Sequence, residues 1–200
     1  YFLRSIHLQG GWNLYTSLTP VSVVADDSSA SNNTDSMVAN PETNSIVMDQ
    51  LTLPNGVSWE TINDDPKQTA QCLSSVLSWK VIVKNLDPIK LLKRPPVKFL
   101  FDLFQHIAKF KAPGTGVYFF PSSIRQADRE KTLSDKKHKL AFMDTVIECV
   151  SGNEHYVSRN GSSITGINII SGQNTDKTNE FLQEMALLLY SFCHPTFHGN

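Results

Sequence analysis

Two hundred residues with 40% hydrophobic side chains suffice for one ordinary domain or two small ones. The net charge of −1 conceals a dipolar chain: residues 1–66 carry eight acids and one base, a net of −7, and the remainder carries 17 bases and 11 acids, a net of +6. No run approaches the roughly 18 apolar residues of a membrane span, and three dispersed cysteines, Cys72, Cys149 and Cys193, with no secretory-type leader ahead of them, suit free thiols in a reducing compartment rather than a disulfide framework.

Taken in order, residues 1–24 place aromatic and aliphatic side chains around Gly10-Gly11 without a period of two or 3.6, and no element is assigned there. Ala25 to Gln50 has no aromatic residue, no Lys or Arg, and a dense supply of Ser, Asn, Asp and Thr. Such a stretch cannot bury enough apolar surface to offset its ordering entropy, so it is expected to be disordered. Leu51 to Val57 contains a Pro-Asn-Gly turn, after which Trp59 and Ile62 are expected to dock on the domain that follows. Residues 1–64 are thus read as a largely disordered acidic leader, 65–192 as an all-α domain and 193–200 as a tail.

Asp64-Asp65-Pro66 starts the first helix, because a carboxylate at the cap accepts amide hydrogen bonds and proline loses nothing at the first helical position. Its apolar face takes Ala70, Leu73, Val76, Leu77, Trp79 and Val81, which carries it to about Asn85. Asp87-Pro88 repeats the signal for a short helix over Ile89, Leu91 and Leu92. Pro95-Pro96 then forms a basic hinge, and Val97, Leu100, Leu103, Phe104, Ile107 and Ala108 recur at three- and four-residue steps, predicting a helix to about Lys111 with one broad buried face.

Ala112 to Gly116 reads as a loop and Val117 to Phe120 as an apolar plug ended by Pro121, with a helical turn around Ile124. The glycines lack the spacing and Gly-Lys-Ser/Thr ending of a phosphate loop. Ser134-Asp135 caps another helix whose face holds Leu140, Met143, Val146, Ile147 and Val150. A polar loop from Asn153 to Thr165 separates it from a last helix, capped by Asn174 or Thr175, that buries Phe181, Leu182, Met185, Leu188, Leu189 and Phe192.

Catalysis finds no footing. No nucleophile and base are placed together, and no carboxylate pair has apolar neighbours. His106, between Phe104 and Ile107, reads as a helix-surface or core-edge residue. Cys193, His194 and His198 lack the paired spacing of a zinc site, so neither metal nor cofactor is expected.

The positive signal is basic: between Lys80 and Lys139 stand fourteen bases against five acids. Such a surface suits an anionic partner, though the same charge can serve solubility alone. Nucleic acid is not the expected partner, because Phe99, Phe101 and Phe104 fall into one helix pattern instead of interleaving with the bases on an exposed platform.

Three runs also carry a family resemblance. Leu91-Leu92-x-Arg94-Pro95-Pro96-Val97-x-Phe99-Leu100-x-Asp102, Asp135-Lys136-x-x-Lys139-x-x-Phe142-x-x-x-Val146 closed by Ser151-Gly152, and Ile169-Ile170-Ser171-Gly172 leading to Thr178-Asn179-x-x-Leu182-Gln183 resemble, in the same order, the N-terminal domain of the intraflagellar transport protein 54 family. The resemblance covers roughly Gln68 to Phe192; residues 153–165 look like an insertion, and residues 1–66 have no counterpart. It implies a calponin-homology-like fold and a subunit of intraflagellar transport complex B that acts in cilium assembly. The implied partners are tubulin or microtubules and other transport subunits. The implied locations are the cilium or flagellum, the basal body, and the cytoplasm and cytoskeleton. The alternative use of the same fold is as a platform for other train subunits without tubulin contact. Tubulin carries flexible glutamate-rich tails, and the bases expected to meet them are Lys93, Arg94, Lys98, Arg129, Lys136, Lys137 and Lys139; the group flanking the double proline and the group in the first turns of the later helix lie at element starts, where side chains stay in water.

Overall fold

The computed structural model describes residues 51–78, 82, 86–153 and 164–194. The segments expected to be unstructured, residues 1–50, and most of the polar loop, 154–163, lie outside the described residues, as do Trp79 and Val81. Among the described residues a 3₁₀ turn (Trp59–Thr61) precedes eight α-helices: α1 (Pro66–Val76), α2 (Pro88–Lys93), α3 (Val97–Ile107), α4 (Ser122–Arg125), α5 (Arg129–Ser134), α6 (Lys136–Ser151), α7 (Gly166–Ser171) and α8 (Thr175–Cys193). Among the described residues there is no sheet, only two isolated bridges, Thr52 with Ser58 and Lys111 with Tyr118. None of the helices is long and apolar enough to cross a membrane.

Packed structure begins ahead of α1. The Pro-Asn-Gly turn closes through Leu53 N–H to the Val57 carbonyl (2.7 Å) and Gly56 N–H to the Leu53 carbonyl (2.8 Å), with Gly56 at φ 83°. It folds Leu51, Leu53 and Val57 onto the helical core, and Trp59 follows them in with Ile62 half-buried behind it. The sequence places the domain's start at residue 65; in the structure the core already includes Leu51.

Asp65 caps α1 by accepting from Lys67 N–H at 2.9 Å, with Pro66 at the first position. The helix ends at Val76, short of the expected Asn85. The Ser74 and Ser75 hydroxyls donate back to the Ala70 and Cys72 carbonyls at 2.6 Å each, which competes with helix propagation. Leu77 then turns extended (φ −131°, ψ 154°) and remains buried.

α3 stops at Ile107, not Lys111, because Lys109 N–H and Phe110 N–H bond to the carbonyls three residues back and tighten the last turn. Its expected face is present, with Leu100, Leu103, Phe104 and Ile107 all at 0% exposure. Phe99 and Phe101 are buried as well, so the helix is enclosed on more than one side. The partner on that second side is α6, whose Phe142 ring lies 4.9 Å from Phe101 and 6.5 Å from Phe104.

The glycine loop is a turn. Gly114 and Gly116 sit at φ 75° and 70°, Ala112 N–H bonds to the Val117 carbonyl (2.8 Å) and Phe119 N–H to the Phe110 carbonyl (3.0 Å). This geometry drives Phe119 and Phe120 inward, where Phe119 meets Phe192 of α8 edge-on at 5.4 Å. α5 was not expected from the sequence. Asp128 caps it through Lys131 N–H (2.7 Å), but it buries only Thr132 fully, with Leu133 half-buried, and so leaves no periodic signal. Asp135 caps α6 as expected, accepting from His138 N–H at 2.9 Å. α7 is held against α6 by Gly166 N–H to Asp144 Oδ1 (2.9 Å), an approach so close that a Cβ on Gly166 would lie 2.5 Å from that oxygen.

α8 is the most enclosed element. Asn174 occupies its cap position in the left-handed region (φ 54°), yet its side chain does not cap; its carbonyl instead accepts from Thr178 N–H and hydroxyl. From Phe181 to Leu189 every side chain is buried, including Gln183 and Glu184. The Thr-Asn and Leu-Gln pairs that carry the third resemblance are structural. Asn179 donates to the Leu92 carbonyl of α2 (3.1 Å), while Gln183 donates to the Asn63 carbonyl (2.7 Å) and Thr69 hydroxyl (2.8 Å) and accepts from Asn63 N–H and Gln68. One amide thus ties the N-terminal turn, α1 and α8 together. Gln183→Ala is expected to strand several of these groups and lower unfolding free energy by about 1–3 kcal/mol. Urea denaturation with an unchanged midpoint would contradict that role.

Candidate basic interface

The structure distributes the seven expected bases over three helix starts and one hinge. Lys93 ends α2 and Arg94 follows it at φ −152°, ψ 79°, where the chain leaves the helix for Pro95 and Pro96. Lys98 lies in the first turn of α3, Arg129 opens α5, and Lys136, Lys137 and Lys139 lie in the first turns of α6. All are exposed except Lys139, which is half-buried. Lys98 and Lys139 each precede by three residues, on its own helix, one of the two rings that meet at 4.9 Å, Phe101 and Phe142.

Their charges are not equally free. Arg129 forms a two-pronged pair with Asp102, Nε to Oδ1 at 2.9 Å and Nη2 to Oδ2 at 3.2 Å, and the hydrogen bonds and charge of that carboxylate raise its pKa. Arg129 therefore reaches solvent with its counter-charge attached. Lys93, Arg94, Lys98, Lys136, Lys137 and Lys139 have no ion pair with another described residue. Asp135 is held below the usual carboxylate range, chiefly by the backbone N–H of His138 and then by its ring at 2.8 Å, so it is engaged as the α6 cap.

Arg94 also borders a cleft of about 270 Å³ between the double proline and the end of α7, lined by Pro95, Pro96, Val97, Ile169 and Gly172. A Cβ on Gly172 would stand 3.5 Å from Arg94 Nε, and Gly172 itself is left-handed at φ 66°. The second motif glycine thus meets a conformational need, with the arginine in ordinary contact beside it.

A further basic group was not singled out by sequence. Lys111 Nζ lies 4.6 Å and the Arg125 guanidinium carbon 3.8 Å from the centre of the Tyr118 ring. With Gln105, Ala108 and Lys109 they line a cleft of about 290 Å³. Its residues come from three segments, joined by the Lys111–Tyr118 bridge and by a hydrogen bond from Gln105 to the Ile124 carbonyl. No spacing rule in the sequence anticipates that convergence.

The residues considered for chemistry have other surroundings. Burial pushes Cys72 and Cys149 each up to about 11, the former at 0% exposure. Both should resist iodoacetamide at pH 8 in the folded protein and react on unfolding, and rapid native labelling of Cys72 by mass spectrometry would contradict the packing described. Burial, with Lys109 nearby, lowers the pKa of His106, whose ring meets Phe110 edge-on at 5.9 Å. Among the described residues no three His, Cys, Asp or Glu side chains converge as metal ligands, and His198 lies outside them.

The model of the CH-like domain of the microtubule-binding protein MIP-T3 matches residues 67–190, a span that contains all three resembling runs and all seven expected bases. The chain belongs to this family. It is also similar to TRAF3-interacting protein 1 of Danio rerio, 30% identical over 107 residues, which cover 54% of this chain and 16% of that relative. No solved structure shows a significant match. The matched span runs from within α1 to within α8, and the chain's likeness to the relative covers a small part of that relative's length.

Proposed function

We propose that this domain binds tubulin or microtubules through its exposed bases and serves as the tubulin-contacting module of an intraflagellar transport complex B subunit in cilium assembly. Its role is non-enzymatic. Membership in a family described as microtubule-binding supports the first part, and likeness to TRAF3-interacting protein 1 supports the second. The observation that carries the reading is the placement of Lys93, Arg94, Lys98, Lys136 and Lys137, which are exposed, lack ion pairs among the described residues and lie outside the core. Unneutralised bases held on a rigid helical body raise encounter rates with an acidic surface and need no deep pocket. The contact belongs to the cilium or flagellum and its basal body, with further pools in the cytoplasm and cytoskeleton.

Co-sedimentation with intact and tail-cleaved microtubules tests the proposal. Binding is expected to fall on tail removal and with added salt, because exposed charges are screened beyond about 8 Å at physiological ionic strength. Failure to pellet with intact microtubules at low salt would leave a platform for other train subunits as the better reading.

A further inference from the structure

The seven bases leave the cleft around Tyr118 unaccounted for. Lys109, Lys111 and Arg125 all line it and no acid does. Arg125 Nε is buried without a hydrogen-bond partner, although its guanidinium carbon stacks 3.8 Å above the ring. Packing alone accounts for one cation on the ring. It does not account for two cations on one tyrosine with a third on the rim, since like charges confined together repel and a stranded donor in a buried position is unfavourable. Both conditions are relieved when an anionic oxygen enters. The Tyr118 hydroxyl is polarised in the same sense, its pKa lowered chiefly by the neighbouring Lys111.

The cleft is continuous with the expected interface. Lys98, Asp102, Gln105 and Lys109 follow one another at steps of four, three and four residues, which places them along one face of α3 and its final turn. Asp102 in the middle of that stripe is covered by Arg129. The stripe is about 16 Å long at 1.5 Å per residue, a distance that roughly five residues of extended peptide would span.

We propose that the cleft formed by Lys109, Lys111, Tyr118 and Arg125 anchors a glutamate carboxylate of an acidic polypeptide tail, whose neighbouring residues run along α3 toward Lys98. This deepens the tubulin reading and rests on it. Arg125 supplies the buried donor, Lys111 and Lys109 the charge, and the Tyr118 ring holds both cations at the mouth.

The test uses the whole 200-residue chain and a fluorescent ten-residue polyglutamate peptide, read by anisotropy at fixed ionic strength, beside microtubule co-sedimentation. The double variant Lys111→Gln/Arg125→Gln is expected to bind the peptide at least tenfold more weakly. The control Lys67→Gln/Lys90→Gln, which removes the same charge from exposed positions elsewhere, is expected to change affinity less than threefold. Circular dichroism establishes that each variant is folded. If the double variant does not fold, the exposed Lys109→Gln decides, with a threefold loss expected. Wild-type affinity in the cleft variant, or an equal loss in the control, overturns the anchor while tail-dependent microtubule binding by the wild type keeps the broader reading intact. Absence of both peptide and microtubule binding in the wild type removes the broader reading itself.

Discussion

Replacing Phe104 by Ala is expected to lower the free energy of unfolding by about 3–5 kcal/mol, a large share of the roughly 5–15 kcal/mol that holds a domain together. Phe104 has no exposed surface, lies on the face that α3 shares with Leu100, Leu103 and Ile107, and sits 6.5 Å from Phe142 of α6. Truncation removes the ring's transfer free energy and leaves a void that rigid helices on both sides cannot close. Denaturant midpoints report the loss, provided the dependence on denaturant concentration is unchanged. A decrease below about 0.5 kcal/mol would mean that the site collapses around the smaller residue or that α3 does not lie at the centre of the fold.

Why Phe104 was legible in the sequence, and other features were not, follows from what each pattern encodes. The spacing of Leu100, Leu103, Phe104 and Ile107 is helical and apolar, and Asp65, Asp87 and Asp135 each precede a helix with a carboxylate that the structure uses as a cap. Those signals are local, so one chain segment contains all the information. The sequence extends α1 too far because apolar periodicity continues past Leu77, while the serine hydroxyls that turn back on the helix carry no periodic mark. α8 exposes a deeper difficulty. Its apolar stripe predicts one buried face, but Asn179 and Gln183 are buried on another through hydrogen bonds to residues 87 to 120 positions away.

The candidate interface divides in the same manner. Bases near helix starts could be read from sequence, and the structure leaves most of them in water. The engagement of Arg129 by Asp102 could not be, because 27 residues separate them, nor could the gathering of Lys111, Tyr118 and Arg125, which depends on a turn reversing the chain between Gly114 and Gly116. Charge counting finds the sign of a surface and tertiary pairing decides which charges remain available.

Reversing Lys136, Lys137 and Lys139 to Glu is expected to weaken tubulin or microtubule binding by more than tenfold while helix content and melting temperature stay nearly unchanged. Lys136 and Lys137 are exposed at the N-terminus of α6, a sixteen-residue helix. Backbone dipoles make that end positive, so lysines there oppose the local field and glutamates would complement it. Folding therefore gives no reason for bases at these positions. Lys139 is half-buried, and its reversal could offset the gain from the other two, which is why the Lys136→Glu/Lys137→Glu double variant is the cleaner probe of stability and should melt no lower than the parent. A surface that keeps three lysines where the helix favours acids is better explained by what it meets than by what it supports. Thermal melts and co-sedimentation on the same preparations separate the two contributions. Binding unaffected by the reversal, or insensitive to salt, would move the tubulin contact away from α6 and onto the remaining bases along α2, the proline hinge and α3.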